Sequence, residues 1–186
     1  MIRWTTRREQ TKMEIFKSAL YVGLLGVLAH FVGEAFDRER FNENAYPFAC
    51  RKWERGGKVY RKLGVRHWKD KVPDMSKVLP DMFPKKLTDS GNAETVRRLI
   101  KETCVAEFIH HCLSVLFIMG IWLINDCTTG GFMLGLFAAA CNTPYIIIQR
   151  YNRPMLVRYL TMLERKQKTI DSSAVQSDAE EEKSKV

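Results

Sequence analysis

The chain has 186 residues, of which 46% are hydrophobic, and a formal net charge of +9 at pH 7. This length fits one domain and leaves little room for a separate soluble enzyme core. The basic residues lie beside apolar segments, which disfavours a nucleic-acid partner, and five scattered cysteines disfavour a disulfide framework. P-loop, GxSxG, HExxH and CxxC motifs are absent, so the chemistries that need them lack support.

Three segments without Asp, Glu, Lys or Arg predict membrane helices. They cover residues 18–33, 108–125 and 127–149. A helix needs about 20 mostly apolar residues to span a bilayer, so the third segment is long enough, the second nearly so, and the first is short. Burial in a soluble bundle is disfavoured because a soluble helix normally keeps a polar stripe. We therefore predict an all-α integral protein of the cell membrane.

The polar segments indicate how these helices are connected. Residues 34–102 form a middle region with 17 Lys and Arg against 11 Asp and Glu. A helix is predicted to begin between Ser90 and Asn92 and to continue into the second apolar segment. The short loop 126–131 has no basic residue, so the second and third segments are predicted to form a helical hairpin.

A different kind of helix is predicted after the third apolar segment. Asn142 and Pro144 are expected to break the membrane helix, and Asn152 to cap an amphipathic helix over 154–168 that lies on the membrane surface. The small, polar and acidic remainder, 170–186, is predicted to be disordered.

The charges give conflicting indications of orientation. Because basic loops tend to face the cytoplasm, the middle region and the residues after Gln149 are predicted to be cytoplasmic, which the hairpin allows. The N-terminal lead, 1–17, is also basic, and one complete crossing by 18–33 would place it outside. We favour a short helix that enters the membrane and returns; an external lead and a translocated middle region are the alternatives.

The most specific chemical signal is a carboxylate beside an imidazole at the start of the second apolar segment. Glu107 and His110 share a helix face at positions i and i+3, and Glu102 lies about one turn earlier. Ionisable side chains in apolar segments usually face a protein interior or a wet cavity. Glu107 or Glu102 is predicted to fix the tautomer of His110, which would accept a proton from a substrate hydroxyl. Anchoring at the membrane interface is an equally weighted alternative.

The pattern Glu-x-x-His also supplies ligands in carboxylate-bridged metal sites. Those sites need several such patterns, and this chain has one. We therefore expect no metal and no cofactor.

A second signal is the polar run QRYNRP, residues 149–154, directly after an apolar segment. Two guanidinium groups three residues apart suit bidentate binding of a phosphate or carboxylate, whereas snorkelling bases that anchor a helix end are the alternative. In the middle region, tryptophan flanked by bases suits either substrate binding or anchoring to anionic lipid. The candidate residues there are Glu54, Arg66, Trp68, Lys69, Lys71 and Asp74.

Taken in order, GGKVYRKLGVRHWKDKVPD (56–74), KETCVAEFIHH (101–111) and NTPYIIIQRYNRPML (142–156) resemble the glycosyl-4,4′-diaponeurosporenoate acyltransferase family. Members of this family transfer a fatty acyl group to the sugar of a glycosylated carotenoid, in the last step of staphyloxanthin synthesis. The resemblance spans 48–160, and QRYNRP is its most specific stretch. The matching positions are Phe48, Glu54, Gly57, Arg66, Trp68, Lys69, Lys71, Asp74, Glu102, Thr103, Ala106, Glu107, Ile109, His110, Asn142, Pro144, Gln149, Arg150, Tyr151, Asn152, Arg153, Pro154 and Leu156.

The resemblance implies a membrane acyltransferase whose partners are membrane lipids, a glycolipid acceptor and an acyl thioester, acyl-CoA, as co-substrate. The organisation of the chain predicts a catalytic domain over 1–169, although the extended N-terminus and the acidic tail depart from the family pattern. His110 would be the general base, oriented by Glu107 or Glu102. His111 lies outside the family pattern. The substrate-binding residues would be Arg150, Arg153, Asn152, Gln149, Tyr151, Asn142, Arg66, Trp68, Lys69, Lys71, Asp74 and Glu54. A non-catalytic membrane subunit or glycolipid-binding protein, and a metal-assisted membrane lipid hydrolase, are the alternatives.

Overall fold

The described part of the chain is helical throughout. The computed structural model describes residues 2–72 and 92–184, with side chains over 7–72 and 92–173, and no strand occurs in these ranges. This confirms the predicted all-α class. The helices are α1 (Ile2–Ala35), α2 (Lys58–Lys62), α3 (Val65–Trp68), α4 (Ala93–Ile124) and α5 (Thr129–Ser184), with 3-10 turns at Arg38–Arg40, Lys52–Gly57 and Lys69–Lys71.

Helices α4 and α5 form the predicted hairpin. Asn92 caps α4, as predicted, because its Oδ1 accepts a hydrogen bond of 2.9 Å from the backbone N–H of Glu94. A short loop follows α4, in which Asp126 and Cys127 have positive φ angles of 53° and 55°. The two helices pack along their length, and the close approach of Gly135 to the backbone of Ile118 shows why a larger residue would not fit there.

Helix α1 lies antiparallel against α4. At the hairpin-loop end, Asn125 Nδ2 donates to Ser18 Oγ at 3.0 Å, and at the other end Arg38 Nε donates to Glu102 Oε1 at 3.0 Å. Between them, the Tyr21 hydroxyl donates to the carbonyl of Leu116 at 3.1 Å. Because α1 is one unbroken helix of 34 residues, the prediction of a short helix that enters the membrane and returns was wrong. The apolar segment 18–33 continues in a polar but equally helical lead.

Three helical stretches are long and apolar enough to cross a membrane: Arg7–Ala35, Ala93–Ile124 and Thr129–Ser173. Their order places the hairpin loop and the N-terminal lead at one end, and the middle region and the second half of α5 at the other. The middle region and the residues after Gln149 therefore share a side, as the hairpin predicts. The lead is at the opposite end.

Helix α5 corrects the prediction of a separate surface helix. It runs from Thr129 to Ser184 with Pro144 and Pro154 inside it, so the predicted break at Asn142 and the predicted N-cap at Asn152 are wrong. The side chains of this stretch are held by tertiary contacts, which override the local signals. Neither glycine nor proline occurs between 155 and 184, and the backbone is helical as far as Ser184, within the tail for which disorder was predicted.

The middle region packs on the same ends of α4 and α5. Phe41 and Phe48 pack against Cys104 and Val105 of α4, while α2 and α3 pack against Tyr151 of α5. Gly57 has φ +87°, and a methyl group added there would lie 3.5 Å from the Tyr151 carbonyl. These contacts bring residues 47–54 over the start of the apolar segment of α4 and the end of the apolar segment of α5.

Candidate active site

A hydrogen-bonded group of polar side chains lies one turn inside the apolar segment of α4. Asn142 Nδ2 donates to the backbone carbonyl of His110 at 2.7 Å and to Ser114 Oγ at 2.9 Å. Asn142 Oδ1 lies 2.8 Å from His110 Nδ1. Because a carbonyl can only accept, the Asn142 amide must present its NH2 group there and its oxygen to the imidazole. The neutral His110 ring is therefore protonated at Nδ1 and carries its lone pair on Nε2.

The His110 ring also has an aromatic neighbour. The Tyr145 ring is stacked on it, with centroids 4.8 Å apart and planes 14° from parallel. The tyrosine ring shields one face of the imidazole from its surroundings. Its π face also favours a positive charge on the imidazole ring. We call His110, Ser114, Asn142 and Tyr145 the His110 network.

A second, charged group lies one turn away, where the middle region meets α4 and α5. Arg150 donates to Glu54 (2.5 and 2.9 Å) and to Glu107 Oε1 (2.6 Å). Arg153 donates to Glu107 Oε2 at 2.6 Å. Glu54 and Glu107 are each 1% exposed and Arg153 is 4% exposed. We call these four residues the arginine clamp.

The guanidinium groups of the clamp have acceptors from the protein itself. Arg150 also donates to the carbonyls of Pro47 and Ala49, which completes its five N–H groups. Arg153 uses four of its five, the others going to the Thr103 hydroxyl and to the Thr103 and Phe48 carbonyls. Two carboxylates balance two guanidinium groups. The clamp therefore has no net charge and its hydrogen bonds are made within the protein. These bonds connect the middle region to α4 and α5.

The clamp perturbs ionisation in the middle region. Burial alone would raise the pKa of Glu54, but hydrogen bonds from Arg150, from the Tyr60 hydroxyl and from the Arg51 backbone hold that pKa at about 2, below its ordinary 4.5. Burial, followed by the hydrogen bond to Glu54, raises the pKa of Tyr60. Glu54 is thus ionised and Tyr60 neutral across the physiological range, and neither is poised to exchange a proton there.

The two carboxylates that were predicted to orient His110 make strong contacts elsewhere. Glu107 accepts hydrogen bonds from Arg150 and Arg153, and its Oε1 lies 3.7 Å from Nε2 of the exposed His111. Glu102 pairs with Arg38 instead. Successive turns of α4 thus direct Glu107 and His110 to different parts of α5, and it is the Asn142 amide, not a carboxylate, that bonds to His110 Nδ1. Sequence spacing places residues on a face, but it does not decide which of several neighbours they meet.

The predicted substrate-binding residues divide between the interior and the surface. Arg150, Arg153 and Glu54 form the clamp, and Gln149 and Tyr151 are buried. Half-buried Lys69 donates to Asn152 Oδ1 at 3.4 Å and lies 5.6 Å from the centre of the Tyr151 ring. Trp68 is half-buried, with its indole N–H donating to the Leu63 carbonyl. Arg66 and Lys71 are exposed, and Asp74 lies outside the described residues.

A pocket of about 190 Å³ opens beside the clamp. Glu43, Cys50, Arg158 and Val157 are among its lining residues, and His110 is not. Glu54, Arg150 and Arg153 of the clamp also line this pocket. The two groups differ in acid–base capacity, because an imidazole nitrogen with a lone pair can accept a proton and a guanidinium group cannot.

Tyr145 of the His110 network and Tyr60, whose hydroxyl donates to Glu54 of the clamp, escaped the sequence analysis. They gave no signal, because a single tyrosine beside an apolar run is indistinguishable from a packing residue. Ser114 lies on the His110 face, at i+4, as helix periodicity predicts. Asn142 matched the family pattern, but the sequence assigned it to substrate and to a helix break.

Comparisons with known proteins agree with the motif-based resemblance. The family model described as glycosyl-4,4′-diaponeurosporenoate acyltransferase matches residues 38–162, which include both groups. The protein of that name from Staphylococcus aureus strain Newman is 27% identical over 166 residues, covering 84% of this chain and 96% of that protein. Its counterpart from strain N315 is 26% identical over 163 residues, with the same coverage. No solved structure matches the chain.

Proposed function

This chain belongs to the glycosyl-4,4′-diaponeurosporenoate acyltransferase family, and from that premise we propose that it transfers a fatty acyl group from acyl-CoA to a sugar hydroxyl of a glycolipid in the cell membrane. The relatives' names specify a glycosylated carotenoid as acceptor. The proposal names the wider class, a lipid that presents a sugar hydroxyl at the membrane surface.

The observation that carries the proposal is the tautomer of His110. With the proton on Nδ1 bonded to Asn142 Oδ1 at 2.8 Å, the Nε2 lone pair is the basic site of the ring. A general base needs this form, and the amide holds it without placing a carboxylate charge beside the ring. The stacked Tyr145 then supports the positive charge that develops on the ring when a proton arrives.

The reaction follows from these groups. The acceptor hydroxyl gives its proton to His110 Nε2 as its oxygen attacks the carbonyl carbon of the thioester. The tetrahedral intermediate collapses, the carbon–sulfur bond breaks, and the leaving thiolate takes the proton back from the imidazolium. An ester and a free thiol are formed, and His110 returns to its starting tautomer. No covalent acyl-enzyme is required.

The membrane supplies proximity between two lipid substrates. Confining both substrates in one leaflet lowers the entropy cost of bringing the hydroxyl and the thioester together. The reacting groups meet where α4 enters the bilayer, and the exposed bases Arg66 and Lys71 in the middle region would attract the phosphates of a coenzyme A donor. This arrangement requires a cytoplasmic middle region and places the N-terminal lead outside.

The test is acyl transfer by the purified full-length protein, reconstituted in liposomes with a glycosylated lipid and radiolabelled palmitoyl-CoA. We expect His110→Ala to lower kcat by about 10²–10⁴-fold, the usual contribution of a general base, with an unchanged unfolding midpoint. His111→Ala is the matched control, because His111 is adjacent and exposed, and it should transfer normally.

Three results would contradict the proposal. Wild-type protein that releases no labelled ester would indicate a non-catalytic glycolipid-binding protein. Transfer by folded His110→Ala at the wild-type rate would remove the imidazole from the reaction. Activity that is lost with a chelator and restored by a divalent cation would favour metal-assisted hydrolysis instead.

A further inference from the structure

Helices α2 and α3 lie beside the last turn of the membrane segment of α5. Tyr60 of α2 is buried in a cluster with Tyr151 of α5. Ile147 and Ile148 pack against the same cluster, and they stand at the end of the apolar segment 127–149. Because a neighbour of the last apolar turn lies at the depth where acyl chains meet headgroups, α2 and α3 lie at the membrane interface.

The outer face of α2 carries three bases. Lys58, Arg61 and Lys62 occupy positions i, i+3 and i+4 of the helix and therefore share one side of it. The buried ring of Tyr60 lies on the opposite side, and the three bases are exposed. Across residues 7–72 and 92–173, no carboxylate forms an ion pair with any of the three. We call these three residues the basic face.

The neighbouring sequence adds to this positive charge. Residues 51–69 contain eight Lys and Arg and one acidic residue, Glu54. The charge of Glu54 is balanced inside the protein by Arg150. A surplus of bases at headgroup depth attracts anionic lipid, and each base close to an anionic surface contributes about fivefold to the affinity for it.

Two large apolar side chains beside the basic face are exposed. Trp53 is 54% exposed and Leu63 is 59% exposed. The Trp53 ring lies 6.0 Å from the ring of Tyr60, and the Leu63 carbonyl accepts a hydrogen bond from the Trp68 indole. Tryptophan is favoured at the level of lipid headgroups, where one part of its ring meets apolar groups and another meets water. A lipid surface suits both the bases and this apolar pair, whereas a soluble polyanion would leave the pair in water.

We propose that the basic face, together with Trp53 and Leu63, binds the headgroups of anionic phospholipids. The lipid phosphates contact the three bases, and Trp53 lies among the headgroups beside them. This surface is separate from the His110 network and from the pocket beside the clamp. It assigns a lipid partner to the middle region, and its test requires no acyl transfer and is therefore independent of the proposed function.

The test measures which lipid lies beside Trp53 in the full-length protein. The protein is reconstituted at low salt in vesicles of phosphatidylcholine with a minor fraction of phosphatidylglycerol. Bromine on the acyl chains of one lipid or the other, at the same mole fraction, quenches nearby tryptophan, and subtraction of the Trp53→Phe signal isolates Trp53. We expect brominated phosphatidylglycerol to quench Trp53 at least about threefold more strongly than brominated phosphatidylcholine.

Two triple variants each remove three positive charges. The first replaces the basic face with Lys58→Gln, Arg61→Gln and Lys62→Gln, and should bring the ratio of the two quenching strengths close to one. The second, a matched control, replaces three exposed bases of α5 with Arg165→Gln, Lys166→Gln and Lys168→Gln. These bases begin about 25 Å beyond Ile148 along α5, further than the Debye length of about 8 Å at physiological ionic strength. The control should keep the wild-type ratio.

Salt provides a measurement that needs no variant, because screening should lower the wild-type ratio towards one. Equal quenching of wild-type Trp53 by the two lipids at low salt would overturn the proposal. An unchanged ratio in the folded variant of the basic face would overturn it as well. Loss of the preference when free coenzyme A is added would assign the bases to a soluble phosphate and would also contradict a lipid partner.

Discussion

The His110 network and the arginine clamp lie about one turn apart between the same two helices, yet their physical chemistry differs. The clamp concentrates the charge: two carboxylates and two guanidinium groups satisfy one another, and all but the partly exposed Arg150 are buried. The His110 network is neutral and half-buried, and its amide fixes one tautomer of a titratable ring. The cluster of charged residues therefore stabilises the fold, and the proposed general base lies in the neighbouring neutral group.

The largest effect on stability is expected from the carboxylate that both arginines share. Glu107→Gln leaves one buried positive charge uncompensated, so the free energy of unfolding should fall by about 3–5 kcal/mol. Denaturant unfolding in detergent measures it. Glu102→Gln is the control, because its pair with Arg38 is 16–20% exposed and should cost about 1 kcal/mol. Equal losses in the two variants would contradict the clamp.

The second prediction concerns acid. The pKa of Glu54 is about 2 in the fold and 4.5 in its ordinary state, so Glu54 contributes stability that is fully present above pH 4.5. That contribution is lost as the pH falls towards 2, and amounts to about 3 kcal/mol.

The measurement is the free energy of unfolding between pH 5 and pH 2.5. Glu54→Gln should be less stable at pH 5 and should show a shallower decline than the wild type. A decline of equal steepness in both proteins would show that other carboxylates account for the acid sensitivity.

The third prediction tests the neutral group. Asn142→Leu removes the acceptor that fixes the His110 tautomer. We expect kcat to fall at least about tenfold, which is part of the rate enhancement that the general base provides. Thr143→Val, at the next and exposed position, is the control and should keep the wild-type rate. Wild-type turnover in folded Asn142→Leu would show that the tautomer does not matter.

The smallest predicted effect is that of ring stacking. Tyr145→Leu should lower kcat by about two- to fivefold and move the acid limb of the rate–pH profile to lower pH, since a π face worth about 0.5–1 kcal/mol no longer supports the imidazolium. The other titratable groups on the adjacent turns, Glu107 and His111, are unchanged in this variant. Tyr145→Phe keeps the ring and should restore both the rate and the profile; failure to do so would assign the effect to the hydroxyl.

The parts of the fold that depend on local signals were predictable from sequence. The hairpin, the start of α4 at Asn92 and the apolar segments follow from capping, loop composition and the absence of charge. The continuity of α5 was not predictable, because Pro144 and Pro154 are local helix breakers. The helix nevertheless continues through both prolines, and between them Arg150 and Arg153 are held by hydrogen bonds to distant parts of the chain.

The candidate site was predictable as a set of residues and not as a set of pairs. His110, Asn142, Glu107 and the two arginines were all singled out, but the sequence joined His110 to Glu107. Asn142 is 32 positions from His110, and Glu54 is 96 positions from Arg150. Such distant partners follow from the register of α4 against α5 and from the folding of the middle region over them, neither of which a local pattern encodes.

The most direct test of the account is turnover per folded molecule in two variants measured side by side. Arg150→Lys keeps the charge but loses the bidentate hydrogen bonds, and we expect it to unfold more easily while its folded fraction transfers acyl groups within about twofold of the wild type. His110→Gln should unfold like the wild type and lose about 10²–10⁴-fold in turnover. The opposite pattern, with folded Arg150→Lys inactive and His110→Gln active, would contradict the division between clamp and catalytic group.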